Sequence, residues 1–443
     1  MPSDPPLPAP FDRIGGELAL EGLPLREIAE RHGTPVYVSS EARIRANARR
    51  VLDAFRPRWP SYRLLYALKA NPNPAIVRIL HSEGAGADCS SPAEIRIARE
   101  AGVAASDCLY TGAYPSDADL SFAVRSNVPI NLDDPALLPR LLALGRPSAL
   151  SFRVNPGRTA SGPEGLKFAG RTAKFGVPLR VALRGLAEAR REGIERLGLH
   201  TMPGSNVLDP EHFARVGRFL GQAVRAVRRS VGTDLDFLDA GGGFGVPYRP
   251  GERPLDIDGV AERLTAGIRR TWGMEDARTA PTLCNEPGRY LMADSTVLLT
   301  RVTHVKAGRV PFVGVDAGMH TLLRPALYQA YHPIQTVGPP GTARAMVTVV
   351  GPVCENTDVL ALRRSLPRLE VGDVIAIANA GAYGFSMSSQ YNTRPRPAEV
   401  LVRGGKAYTI RAAEGFEEIV ARTILPPHLA DRSEGAPPRG GNR

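Results

Sequence analysis

The sequence predicts an α/β chain in two parts, a (β/α)8 TIM barrel followed by a smaller, mostly β domain. Three observations carry that prediction. The chain is 443 residues long, more than one ordinary core accommodates. Between residues 36 and 290, short apolar runs alternate with amphipathic helical patterns about eight times, the texture of a barrel of parallel strands. After Arg289 the helical periodicity fades, and β-rich runs separated by Gly and Pro turns take over. A doubly wound sheet is the structural alternative, but its GxGxxG phosphate turn after the first strand is missing.

Taken in order, residues 1–12 are Pro-rich, and residues 1–35 are expected to form an N-terminal segment packing on the β domain. The barrel is assigned to 36–290, the β domain to 291–425 and a disordered tail to 426–443. Leu25 to Gly33 reads as a short helix stopped by glycine, and Pro35–Val38 as a strand. Ser40 to Phe55 is a helix, capped by Ser39 or Ser40, with apolar positions at Ile44, Ala48, Val51 and Phe55. Leu64-Leu65 leads a strand into Lys69, and helices follow over Ala75–Glu83 and from Pro92 to about Ala101, the second with Glu94 in its first turn. Strand-like runs recur at Cys108–Thr111, Pro129–Asn131, Ala149–Val154, Arg196–His200, Phe237–Asp239 and Thr282–Asn285. Helical patterns at Ala136–Leu144, Leu179–Glu192, Pro210–Val231 and Asp258–Trp272 separate several of them. The β domain reads as runs at Thr296–Val305, Val310–Val315, Ala345–Val350, Val374–Ala378, Glu399–Val402 and Lys406–Arg411.

Composition narrows the function. Net charge is +11, yet 51 of the 56 basic residues are arginines scattered along the chain with no aromatic-interleaved block, so nucleic acid is not expected as a partner. Cys89, Cys108, Cys284 and Cys354 form no CxxC pair; this argues against a zinc site or disulfide framework and fits a cytoplasmic protein. The N-terminus lacks the features of a signal peptide, no run is long enough to span a bilayer, and no membrane role is expected.

In a barrel, chemistry gathers where strands end. Lys69, in Tyr66-Ala-Leu-Lys-Ala-Asn-Pro72, is one of only five lysines. At a buried strand end, desolvation would lower its pKa and favour the neutral amine that a Schiff base to an aldehyde cofactor needs; a snorkelling lysine is the plain alternative. Asp239-Ala-Gly-Gly-Gly-Phe-Gly245 could turn backbone N–H groups toward a phosphate, or simply turn tightly. Asn285-Glu-Pro-Gly-Arg-Tyr290 offers a carboxylate for a ring nitrogen and a guanidinium for an anion, or equally a structural ion pair. His200 to Ser205 adds a hydroxyl donor, while Cys354-Glu355 in a turn is either a proton donor beside a carboxylate or an inert thiol. His320 and His332 show no ligand spacing and read as ordinary polar residues, and no metal is expected.

Together these segments resemble one family. Tyr66-Ala-Leu-Lys-Ala-Asn, Gly-Gly-Gly-Phe-Gly, Glu-Pro-Gly-Arg, Arg324-Pro-Ala-Leu-Tyr, Gly-Pro-Val-Cys-Glu and Gly-Ala-Tyr-Gly-Phe-Ser-Met-Ser-Ser occur in the order of the fold-type III pyridoxal-phosphate decarboxylases, over about residues 20 to 420. Within that group the chain is most similar to the diaminopimelate decarboxylases. The resemblance implies a barrel of the alanine racemase-like type holding pyridoxal 5'-phosphate, with Lys69 as its covalent anchor and Glu286 at the pyridine nitrogen. Ser205, Gly243, Gly288 and Arg289 would hold the phosphate, and Asp88, His200 and Tyr383 would contact the cofactor. Arg289, Arg324 and Tyr328 would bind the distal carboxylate of an amino-acid substrate, with Tyr383 beside them and Glu355 at its distal ammonium. Cys354 would protonate the carbanion, reaching the site of a partner subunit, so a homodimer with shared active sites is implied.

The implied reaction converts meso-2,6-diaminopimelate to L-lysine and carbon dioxide. A relative acting on another diamino or carboxy-amino acid is the alternative, and a non-catalytic cofactor-binding protein a more distant one. A monoacid such as ornithine would leave the two arginines without their substrate partner. One position departs from the family pattern. In His200-Thr-Met-Pro-Gly-Ser205, Met202 stands where the family has a histidine that stacks on the cofactor ring, and an unusual proline follows it.

Overall fold

The computed structural model describes residues 7–157, 169–170, 172–202, 204–273, 280–309 and 311–430. Pro203 and residues 431–443 of the expected tail lie outside them. The chain opens with a small antiparallel sheet of β1 (Phe11–Ile14), β2 (Glu17–Leu20) and β3 (Leu23–Pro24). Phe11, Leu18, Leu20 and Leu25 share a core with Val297, Val374 and Val400, and Leu18 N donates to Val337 O at 2.7 Å. The N-terminal segment thus packs against the β domain.

The strand β4 (Val36–Ser40) corrects the predicted division. It lies outside the barrel and pairs with β13 (Thr296–Lys306) and β19 (Ala398–Arg403) of the second sheet. All five of its residues are buried, which an interior position between two β-domain strands provides. The barrel itself closes over β5 (Tyr62–Ala67), β6 (Gly86–Cys89), β7 (Cys108–Gly112), β8 (Ile130–Leu132), β9 (Leu150–Arg153), β10 (Leu197–His200), β11 (Phe237–Asp239) and β12 (Thr282–Asn285). Neighbours are parallel, and β12 pairs back onto β5.

The helix ring has an unusual start. Glu41–Phe55, capped by the Ser40 hydroxyl accepting from Arg43 N, comes before the first barrel strand. It packs between Pro74–Ser82 and Ile257–Trp272. It therefore fills the place that a helix after β12 would take, where only Arg289–Met292 follows.

The second domain adds β14 (Phe312–Val315), β15 (Ile334–Thr336), β16 (Arg344–Val350), β17 (Val359–Pro367), β18 (Val374–Ile377) and β20 (Lys406–Arg411) to β13, β4 and β19. The eleven-residue β13 joins its two halves: its first half pairs with β4 and β18, its last with β14. Short exposed helices, Phe416–Val420 and Pro427–Ala430, end the described chain. Among the described residues no helix is long and apolar enough to cross a membrane.

Candidate active site

A cavity of about 410 Å³ lies at the C-terminal mouth of the barrel, where the β domain leans over the strand ends. Lys69 lines it from a single 3-10 turn, Leu68–Ala70, immediately after β5. The turn is clamped from several sides. Tyr383 N and Ser386 Oγ donate to Ala70 O at 2.8 and 3.1 Å, and a Cβ on Gly288 would come within 2.9 Å of the Ala70 Cβ. Asn71 and Asn73 donate to Glu399 on β19, tying the lysine turn to the second domain. Tyr383 adopts φ 58°, strained for a tyrosine, within the loop that makes these contacts.

Strand register gathers the charged groups. Ala67 pairs with Asp88, which puts that carboxylate beside the lysine, and Lys69 Nζ donates to Asp88 Oδ2 at 2.5 Å. Arg153, His200 and Asp239 are successive neighbours at the ends of β9, β10 and β11, and Glu286 follows β12. His200 Nε2 lies 3.1 Å from Glu286 Oε2, both buried. Burial pushes Glu286 up, but His200, Lys69 and Arg153 together outweigh it and hold the carboxylate low, at about 2. Asp88, fully buried and near Glu286, is pushed up to about 7 despite Lys69.

The lysine itself corrects the sequence expectation. Desolvation is the largest single influence on Lys69 and pushes it down, as expected, yet Asp88, Glu286 and Tyr383 together carry it well above the ordinary lysine range. The side chain is 42% accessible, opening into the cavity, and so keeps some contact with solvent as well as its acid partner.

The glycine run after β11 forms the cavity's back wall. Gly243 sits at φ +90°, and a Cβ there would come within 2.8 Å of Gly204 O, so only glycine fits this approach of two loops. Met202 lines the cavity, and its Sδ accepts from Gly242 N at 3.2 Å. Arg289, Tyr383 and two residues of the helix Arg324–Tyr328, Arg324 and Tyr328, also line the cavity. Arg289 Nη2 reaches Ser205 Oγ at 3.4 Å. Lys69, His200, Ser205, Gly243, Glu286, Gly288, Arg289, Arg324, Tyr328 and Tyr383 all line this one cavity, with Asp88 directly behind the lysine.

Cys354 and Glu355 are the exceptions. Both are exposed on the turn after β16, where Asn392 Oδ1 accepts from Cys354 N at 2.7 Å and Glu355 Oε1 accepts from Thr357, outside this chain's own cavity.

Comparison with known proteins fits this geometry. Residues 41–293 match the family model of the pyridoxal-dependent decarboxylase, pyridoxal binding domain. A diaminopimelate decarboxylase from Methanothermobacter thermautotrophicus is 44% identical over 420 residues, 94% of this chain and 98% of that protein. The chain belongs to the pyridoxal-dependent decarboxylase family. Among solved structures, a diaminopimelate decarboxylase from M. jannaschii in co-complex with L-lysine is similar to this decarboxylase at a TM-score of 0.87 and 30% identity, covering 95% of this chain and 98% of that one. A lysine decarboxylase from Selenomonas ruminantium reaches 0.75 at 25% identity, covering 85% and 94%.

The cofactor of this decarboxylase is pyridoxal 5'-phosphate, and its residues fit the group. Glu286 Oε1 and Asp88 Oδ1 are buried without a hydrogen-bond partner, and an ionised carboxylate with a spare oxygen suits a protonated ring nitrogen. The crowded Gly243 turn suits a phosphate that must meet backbone closely.

Three residues of the site escaped the sequence reading. Arg153 is buried at the end of β9, 3.9 Å from Asp133, and acts on Glu286; a charge closing the apolar run Leu150-Ser-Phe was its signal. His332, read as ordinary, is fully buried with Nε2 2.9 Å from Arg324 Nη1. Tyr248 Oη accepts from Arg289 Nη1 at 3.0 Å. Neither of the last two has a motif to mark it.

Proposed function

We propose that this decarboxylase converts meso-2,6-diaminopimelate to L-lysine and carbon dioxide. The observation that carries the reading is a pair of buried guanidiniums, Arg289 and Arg324, in the cavity wall. Among the described residues neither is ion-paired with a carboxylate, and the Nε of each lacks a partner. Two buried cations call for an anion, and the far carboxylate of a diacid supplies one without disturbing the reacting end. The names of the relatives support this choice.

When bound, pyridoxal 5'-phosphate supplies an electron sink for the pair left behind as a carboxylate departs as carbon dioxide. The chain's own groups do the rest. Lys69 would hold the cofactor covalently, and Asp88, 2.5 Å from Nζ, could take the proton that the amine must lose. Glu286, kept ionised, holds the ring-nitrogen proton, with His200 fixing its orientation. Ser205, Gly243, Gly288 and Arg289 would hold the phosphate, and Tyr383 would contact the cofactor from the loop that clamps Ala70. Arg324, Tyr328 and the free side of Arg289 take the distal carboxylate.

Cys354 and Glu355 complete the site from a second copy of the chain, the thiol returning a proton to carbon and the carboxylate meeting the distal ammonium. Their exposure, away from their own cavity, supports a homodimer with shared sites. The cytoplasm is the compartment of this reading, supported by four free cysteines.

A decarboxylase for another diamino or carboxy-amino acid is a second reading, favoured by Met202 at the expected place of a histidine. The test is product formation by purified protein loaded with cofactor. One lysine and one carbon dioxide per meso-diaminopimelate consumed is the expected result, and no lysine formed would refute the reading.

A further inference from the structure

Tyr248 is buried behind the cavity wall and touches both arginines of the pair. Arg289 Nη1 donates to its oxygen at 3.0 Å, and the Arg324 guanidinium lies over its ring. The guanidinium carbons stand 5.8 and 4.8 Å from the ring centroid for Arg289 and Arg324. The backbone fixes the ring in place: Tyr248 N and Arg249 N both donate to Glu252 Oε2, at 2.8 and 2.9 Å. His332 packs edge-on against the ring at 5.3 Å, donating from Nδ1 to Ala378 O and accepting from Arg324 on Nε2.

Two guanidiniums so close repel each other, and no described acid is ion-paired with either to offset that repulsion. The phenol compensates in two ways, with an oxygen that accepts and a π-face that attracts cations. Burial pushes the phenol up, yet Arg324 and Arg289 outweigh burial and draw it down.

We propose that Tyr248 is a positioning residue that holds Arg289 and Arg324 as one two-cation clamp, and thereby sets the preference for a diacid over a monoacid. The proposal rests on the diacid reading above. Tyr248 is not among the cavity-lining residues, so its effect passes through the arginines.

Tyr248→Phe keeps the shape and the π-face and removes only the acceptor. The cofactor-loaded wild type and variant are titrated calorimetrically with pimelate, a diacid, and heptanoate, a monoacid of equal length, and kcat and KM are measured with meso-diaminopimelate. Losing a hydrogen bond to a charged group should raise the pimelate Kd and the KM about tenfold while the heptanoate Kd moves less than about twofold and kcat far less than KM. Equal changes for both acids, or no change for either, would overturn the proposal. Tyr248→Leu, which also removes the π-face, should widen the diacid-specific loss; a loss equal for both acids would again count against it. A wild type that neither binds pimelate nor turns over the diacid would instead remove the diacid reading, and this proposal with it.

Discussion

Lys69 Nζ and Asp88 Oδ2 lie 2.5 Å apart at the strand ends that floor the cavity. The contact follows from barrel register, since Ala67 pairs with Asp88 across β5 and β6. Two consequences are testable. Lys69→Ala should lose the visible band of covalently held cofactor and fall below detectable activity; a band that survives would remove Lys69 as the anchor. Asp88→Asn removes the foremost charge that holds the Lys69 amine protonated, so the pH above which stopped-flow absorbance shows rapid cofactor capture should fall; an unchanged pH profile would contradict the coupling.

In the proposed reading Arg324 would meet the substrate only at its far end. Arg324→Gln should therefore raise KM for meso-diaminopimelate by about 10²-fold while leaving the cofactor's absorbance unchanged. Arg324→Lys restores the charge without the planar fork and should fall between the two. Steady-state kinetics with the absorbance spectrum as control checks both.

Shared sites give a sharper expectation. Lys69→Ala and Cys354→Ala subunits, each inactive, should regain about a quarter of wild-type activity when mixed one to one after reversible dissociation. Half the dimers are then mixed, and each mixed dimer has one intact site of its two. No regain would contradict a site completed by the partner.

His320 should contribute to an acid limb of stability, together with His332, which burial also pushes well below its ordinary value. Burial first and Arg394 second push His320 down to about 4 from an ordinary 6.5. Between those values the unfolded chain binds a proton that the folded protein does not, so stability rises with pH across this window and is lost on acidification through it. His320→Gln should flatten that slope in urea midpoints measured from pH 4 to 6.5. Equal slopes in the two proteins would contradict the assignment.

The legibility of the sequence followed its periodicity. The barrel strands were readable as short continuous apolar runs, and the helices Pro210–Val231 and Ile257–Trp272 because one face of each is apolar at a fixed period. Val36–Ser40 was misplaced because an apolar run identifies a strand and says nothing of its neighbours; pairing with β13 and β19 is a long-range fact. In the same way, motif glycines, Lys69 and Glu286 could be singled out as strand-end chemistry, whereas Tyr248 and His332 owe their roles to contacts between loops distant in sequence. The raised Lys69 has a similar origin, because desolvation is legible at a buried strand end but the opposing Asp88 becomes a neighbour only through register.

The central claim is the substrate, and a carbon dioxide release assay over meso-diaminopimelate, L-lysine and L-ornithine tests it most directly. The arginine pair predicts a kcat/KM for meso-diaminopimelate at least about 10³-fold above either monoacid, because a monoacid leaves two buried cations unpaired. Release from L-lysine or L-ornithine but not from meso-diaminopimelate would contradict the account.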